Sequence, residues 1–160
     1  MTAASVELGT AGWRPLLLLL VAVGAAATAL DLLLIEHHAD VWQLTPLVLL
    51  GATLACAAWI ACAPRRGALR LFQAMMLLLI AGGATGLWLH LAGNLEFERE
   101  VSPGLAGREL FWKAVQGAAP PSLAPAGLIH LGLLGLLFTY RHPLLDGAVA
   151  PSTVVQGVQR

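Results

Sequence analysis

The chain has 160 residues, of which 58% are hydrophobic and 11% charged, and its formal net charge is zero. Soluble globular domains carry about 25% charged residues, so this composition excludes an ordinary soluble domain. Nine basic residues balanced by nine acidic ones also leave no basic surface of the size that nucleic-acid binding requires.

Four apolar segments of the chain predict membrane-spanning helices. They cover residues 16–35, 46–63, 71–91 and 123–140. A bilayer core needs roughly 20 apolar residues per helix, and the segments lack the alternation of barrel strands. We therefore expect an all-α membrane protein in which four transmembrane helices form an up-down bundle. This single domain would cover residues 15–141, between a cytoplasmic N-terminal segment of residues 1–14 and a flexible cytoplasmic tail of residues 142–160.

The first two predicted helices meet at a polar turn. Helix 1 carries Asp31 about one turn before its end and closes with the polar residues 36–38. Thr45 is a suitable N-cap for helix 2, with Pro46 at the first helical position. This pattern predicts that helix 2 begins at residue 46.

The third predicted helix combines a glycine-rich face with a glycine at its end. Gly82, Gly83 and Gly86 form a GxxxG-type surface that permits the close approach of a neighbouring helix. Gly93 is placed to end the helix as a C′ cap. Glutamates then occupy every second position of residues 95–100, which predicts an extended segment with its three glutamates on one side.

A short amphipathic helix is predicted over residues 105–117, between helices 3 and 4. Leu110, Phe111, Ala114 and Val115 make one apolar flank of this helix. An amphipathic helix with aromatic residues is typical of the membrane interface. We therefore expect it to lie flat on the outer membrane surface.

The basic residues are segregated across the predicted membrane. One side holds Arg14, Arg65, Arg66, Arg70, Arg141 and Arg160. The other side holds Arg99, Arg108 and Lys113. Cytoplasmic loops of membrane proteins carry an excess of lysine and arginine. We therefore expect an integral protein of the bacterial inner membrane with both termini in the cytoplasm.

Polar side chains cluster at the predicted outer ends of the helices. Antiparallel packing would place six of them in or just above one layer: His37, His38, His90, His130, Asp31 and Glu96. Ionisable residues within membrane helices usually mark functional sites. Imidazole and carboxylate ligands suit Zn, Cu or Fe, and two histidines on facing helices can clamp a haem b. We predict a transition-metal site formed by these six residues, or a haem held by His90 and His130.

Other interpretations of the same residues are open. The histidines could be solvated groups or helix caps in a structural or accessory subunit of a larger membrane complex. Such a subunit would dock on other subunits, or on a second copy, through its glycine-rich helix faces. A third interpretation is a small proton-coupled carrier that acts as a homodimer and uses Asp31. No motif for nucleophilic catalysis or HExxH pattern is present, so an enzymatic role would rest on redox chemistry of a bound metal or haem.

Overall fold

A computed structural model describes residues 3–117 and 124–146, with side chains from residue 12 onward. The helices in these ranges are α1 (Ala3–Leu34), α2 (Val41–Cys62), α3 (Arg66–Val101), α4 (Gly107–Val115), α5 (Ala124–Thr139) and α6 (Pro143–Asp146). All regular structure in the described residues is helical, which confirms the expected all-α class.

Of the described helices, three are long and apolar enough to cross a membrane. They are residues Gly12–Leu34 of α1, the whole of α2 and the whole of α3. α5 is also apolar but has 16 residues. Many leucines on these helices are exposed in the single chain, as expected for side chains that contact lipid. Three long apolar helices thus indicate insertion into a lipid bilayer.

Helices α1, α2, α3 and α5 surround a shared core, and each packs against two neighbours. α1 contacts α2 and α5, and α3 contacts the same two helices. Gly83 of α3 lies against Pro125 near the start of α5. Gln73 of α3 donates a hydrogen bond to Thr139 at the end of α5 (3.2 Å). α3 and α5 therefore run in opposite directions.

Glycines allow α3 and α5 to approach closely. A Cβ atom added at Gly83 would lie 2.5 Å from the carbonyl oxygen of Pro125, and one added at Gly132 would lie 2.7 Å from that of Met76. Gly135 lies directly against the Met76 side chain. Gly83, which belongs to the glycine face that the sequence suggested as a docking surface, thus joins two helices of the same chain.

Helix α3 continues about three turns beyond the end that the sequence predicts. Gly93 lies inside the helix, and residues 95–100 are helical rather than extended. The three glutamates of this segment consequently do not share one side, because Glu98 is buried whereas Glu96 and Glu100 are exposed. The helix persists because α4 packs against it, a contact that the local sequence pattern does not reveal.

Helix α4 folds back along this extension of α3. Leu110 and Ala114 are buried, and Lys113 Nζ lies 3.1 Å from Glu98 Oε2. Asn94, one turn before Glu98 on α3, donates a hydrogen bond to the carbonyl oxygen of Ala114 (2.9 Å). α4 therefore runs antiparallel to α3, which differs from the flat orientation that we expected. We call the end of α3 and α4 together (residues 92–115) the α3–α4 hairpin.

Arginines cap helix ends at the opposite end of the molecule. Arg14 Nη2 donates to the carbonyl oxygens of Tyr140 (3.4 Å) and Arg141 (2.9 Å), where α5 ends. Arg66 Nη2 donates to the carbonyl oxygen of Leu145 in α6 (2.7 Å). Cations at the C-terminal end of a helix satisfy carbonyl groups that have no intrahelical partner. We call this region the arginine-capped end.

Part of each predicted terminal segment is helical. α1 begins at Ala3, so the predicted N-terminal segment of residues 1–14 is helical from that residue onward. α6 forms within the predicted tail. Residues 118–123, which include the first residue of the fourth predicted span, and residues 147–160 lie outside the described residues.

Candidate functional site

Two of the predicted site histidines face each other. The ring of His37, in the turn after α1, and the ring of His90, on α3, have centroids 6.2 Å apart and planes inclined by 24°. Both side chains are partly exposed. The pair lies at the end of the bundle opposite the arginine-capped end.

A specific C-terminal turn of α1 positions His37. The His37 N–H donates to the carbonyl oxygen of Leu32 (2.9 Å), and the Glu36 N–H donates to that of Leu33 (3.1 Å). These are the two hydrogen bonds of a Schellman motif. Glu36 has the left-handed conformation (φ 56°) that glycine usually supplies at this position. The motif reverses the chain, so that His37 and Leu32 line the same cleft.

Helix α2 begins at the rim of this cleft with reciprocal caps. Asp40 Oδ1 accepts a hydrogen bond from the Gln43 N–H, and Gln43 Oε1 accepts one from the Ala39 N–H, both at 2.9 Å. The arrangement resembles a capping box and starts α2 more than a turn before the N-cap predicted at Thr45. Thr45 instead lies within α2, where its hydroxyl donates to the carbonyl oxygen of Val41 (2.7 Å).

One face of α3 forms the wall below His90. Gly82, Gly86 and His90 follow one another at intervals of four residues and therefore share this face. A Cβ atom at Gly82 would lie 3.2 Å from the Leu49 side chain, and one at Gly86 would lie 3.5 Å from Pro125. The glycines thus keep space open between α3, α2 and α5 beneath the imidazole.

These elements surround a cleft of about 390 Å³, which we call the His37–His90 cleft. The end of α1, the first turns of α2, the middle of α3 and the start of α5 form its mainly apolar walls. Its polar lining side chains are His37, Gln43, Thr45, Thr85 and His90. Binding sites for small ligands are concave and mostly apolar, with a few oriented polar groups, and this cleft has that character.

The other predicted site residues lie outside the cleft. His38 is exposed in the turn after α1, and Asp31 is exposed on α1 itself. Glu96 is exposed on the extension of α3, and His130 is exposed on α5. Of the six side chains predicted to share one layer, the structure brings His37 and His90 together and separates the remaining four from them.

Helix geometry explains the separation. Successive residues of an α-helix point about 100° apart, so the burial of Leu131 and Gly132 turns His130 outward. The unbroken continuation of α3 carries Glu96 beyond the cleft. Among the residues that the structure describes, no three histidine, cysteine, aspartate or glutamate side chains come close enough to hold one metal ion. A metal in the cleft would take its protein ligands from His37 and His90.

Two imidazoles in an apolar cleft can bind a metal ion or orient a polar ligand. A neutral imidazole has one N–H donor and one nitrogen with a free lone pair, and that nitrogen is a ligand for Zn, Cu, Fe and Ni. Catalytic zinc sites usually have three protein ligands. An ion held by two would keep further positions open for water or a small ligand.

The sequence places His37 and His90 at the same predicted level of the membrane, which suggests that they lie close together. It does not identify the residues that form the cleft around them. The four-residue spacing of Gly82, Gly86 and His90 is a signal that could have identified the α3 wall. No comparable signal marks Gln43, whose position follows from the cap of α2.

Comparison of the chain with protein families, with curated proteins and with solved structures finds no match.

Proposed function

We propose that this is an integral protein of the bacterial inner membrane, folded as an up-down bundle of four transmembrane helices, α1, α2, α3 and α5. The packing of each helix against two neighbours supports α5 as the fourth span. Its 16 described residues measure about 24 Å, about one helical turn short of the hydrocarbon thickness of about 30 Å, and the residues before Ala124 lie outside the described range. The arginine-capped end faces the cytoplasm, and α4 stands at the outer membrane surface within the α3–α4 hairpin.

Reporter fusions test this topology. A reporter that is active in the cytoplasm should be active when fused after Asp146, and a periplasmic reporter should be active when inserted at Gly104, between α3 and α4. A periplasmic signal after Asp146 would contradict both the orientation of the bundle and the outward opening of the cleft.

We further propose that the His37–His90 cleft binds a transition-metal ion, with one nitrogen ligand from each imidazole. The observation that carries this proposal is the approach of the His37 ring, in the turn after α1, to the His90 ring on α3, with centroids 6.2 Å apart at an apolar cleft. Zn, Cu and Fe all accept imidazole ligands. Haem held by His90 and His130 is less well supported, because His130 is exposed on α5 outside the cleft.

Metal analysis of detergent-purified variants tests the site. After equilibration with Zn²⁺ or Cu²⁺ and removal of free ions, His37→Ala and His90→Ala should each weaken metal binding about tenfold or more. His38→Ala and His130→Ala are matched controls, since both remove an exposed histidine outside the cleft. Full retention in both cleft variants would refute the site. A haem absorption band lost in His90→Ala and His130→Ala would favour the haem alternative.

A second candidate function, an accessory subunit of a larger complex, is favoured by the surface of the α3–α4 hairpin. Phe97 is 56% exposed, Val101 60% and Trp112 55%, in a region that extends past the predicted third span. Exposed apolar patches often mark protein contacts. If the hairpin docks on another subunit, a partner should co-purify with the wild type and be lost from Phe97→Ser/Val101→Ser. Retention of that partner by the double variant would contradict docking through this surface.

A further inference from the structure

Helix α5 presents one stripe of side chains that no other part of the described chain covers. Its exposed residues are Ala126, His130, Leu133 and Leu137, and the exposed Tyr140 follows directly after the helix. Successive residues of this set are separated alternately by four and by three positions. This is the spacing of a helix face that packs against another helix. The intervening residues Leu128, Leu131, Gly135 and Phe138 are buried within the chain. We call the exposed set the outer stripe of α5.

An ionisable residue lies in the middle of this stripe. Gly24 of α1 is in contact with Leu131 of α5, so His130 lies level with the centre of the apolar span Gly12–Leu34. At that depth an exposed side chain faces hydrocarbon. Polar groups in membrane helices are costly there and usually turn towards a protein partner with which they form hydrogen bonds.

The glycines at the contacts of α5 with α3 and α1 are already covered inside the chain. Gly83 and Gly132 lie at the contact between α3 and α5, and Gly24 lies at the contact between α1 and α5. A partner that covers His130 must therefore meet the outer stripe itself.

We propose that a second copy of this chain packs along the outer stripe of α5, about a two-fold axis parallel to the membrane normal, and pairs the two His130 side chains. The proposal rests on the assignment of α5 as a membrane span. Two copies inserted with the same topology present the same residue at the same depth. One neutral imidazole donates its N–H to the unprotonated nitrogen of the other, so the residue is complementary to itself. A single polar residue in such a helix face also sets its register.

Site-directed cross-linking tests the interface. Single cysteines are placed at Leu133 and Leu137 of the full chain in a Cys56→Ala/Cys62→Ala background, reconstituted at low protein-to-lipid ratio and treated with a short bis-maleimide. Both stripe positions should give dimers. Cysteines at Leu19 and Leu77 are matched controls, since each is a leucine 58% exposed on another helix. Cross-linking equal at control and stripe positions, or confined to the controls, would refute the interface.

Dilution-dependent energy transfer between labelled copies supplies a second measurement that needs no cross-link and retains both native cysteines. His130→Leu should weaken association about threefold to thirtyfold, the range expected for loss of an interhelical hydrogen bond. His130→Asn keeps a donor and an acceptor and should preserve association. Absence of wild-type association, equal association of His130→Leu, or a stripe cross-link to a different protein would refute the proposal. Reporter fusions that place α5 outside the membrane would instead refute the bundle, and metal binding in His130→Leu would be unaffected.

Discussion

Glu98 of α3 and Lys113 of α4 form a salt bridge, with Nζ and Oε2 3.1 Å apart, that joins the two arms of the α3–α4 hairpin. The glutamate side chain is 10% exposed and the lysine side chain 46%. Lys113 Nζ also donates a hydrogen bond to Ser102 Oγ at the end of α3 (2.9 Å). One lysine thus connects α4 to two positions on α3.

Replacing this lysine should loosen α4 without unfolding the bundle. Lys113→Met leaves the largely buried Glu98 carboxylate without its cation, and we expect a local loss of about 1 kcal/mol, because the lysine is partly screened by solvent. Amide hydrogen exchange over residues 107–115 should accelerate about fivefold. Arg108→Met is the control, since it removes a cation from an exposed position of the same helix. Unchanged exchange in Lys113→Met would show that the salt bridge does not hold α4.

The Schellman turn after α1 predicts a stabilising substitution. Glu36 has a left-handed backbone, which costs a residue with a side chain about 1 kcal/mol relative to glycine. Glu36→Gly should therefore raise the free energy of unfolding in detergent by about that amount, and the β-branched variant Glu36→Val should lower it. Glu36→Gln removes only the charge and should behave as the wild type. A stabilised Glu36→Gln would point to charge rather than backbone conformation.

Two glycine-to-alanine substitutions should have opposite effects. At Gly83 the new methyl group would lie 2.5 Å from a backbone carbonyl oxygen of α5, and forcing the helices apart should cost about 1–3 kcal/mol. At Gly51 of α2 nothing lies within 4 Å, so alanine should gain about 0.5–1 kcal/mol of helix stability. Denaturant unfolding of both variants checks the pair. Equal effects of the two substitutions would contradict the close contact of α3 and α5.

The turn after α5 predicts a pH dependence. Burial lowers the pKa of His142 below its ordinary value of 6.5, and the nearby Arg14 lowers it further, whereas Asp146 opposes the shift. The Nδ1 of His142 also accepts the Leu144 N–H (3.2 Å), which a protonated ring could not do. The unfolded chain therefore binds the proton more readily than the folded one, so stability is highest above about pH 6.5 and falls as the pH drops through the folded pKa.

Thermal unfolding in detergent at about pH 8 and about pH 5 measures this dependence. His142→Asn keeps a side-chain acceptor for the start of α6 but cannot titrate, so it should lose less stability on acidification than the wild type. His38→Gln, which removes an exposed histidine far from the turn, should leave the wild-type dependence unchanged. An equal loss in wild type and His142→Asn would contradict the assignment.

The structure brings His37 and His90 together, as their predicted depth implies, but it places His130 apart from them. All three were chosen by depth, counted in residues along each helix, but the contact between Gly24 and Leu131 places His130 near the middle of the span, deeper than His37 and His90. Which side a residue faces is a different quantity, and α5 is apolar on all sides, so its sequence carries no amphipathic signal for orientation. The glycines that pack against α3 decide it, and they turn His130 outward.

The end of α3 is a second place where the local sequence does not determine the structure. The glutamates at every second position after Gly93 are compatible with a strand and with a helix, because three glutamates spaced by two carry little periodic information. The helical conformation is favoured because Asn94 and Glu98 form a hydrogen bond and a salt bridge with residues of α4. The α4 residues that form these contacts come later in the sequence, and they stabilise the end of α3 only after α4 has folded back against it.

Insertion into the membrane was determined by the sequence alone. The free energy of transferring apolar side chains into lipid adds up along each segment and does not depend on how the segment packs against other helices. The meeting of His37 with His90, the return of α4 and the outward face of His130 were decided by tertiary structure. Each depends on the rotation of one helix against another, which is set by close contacts between residues far apart in the chain.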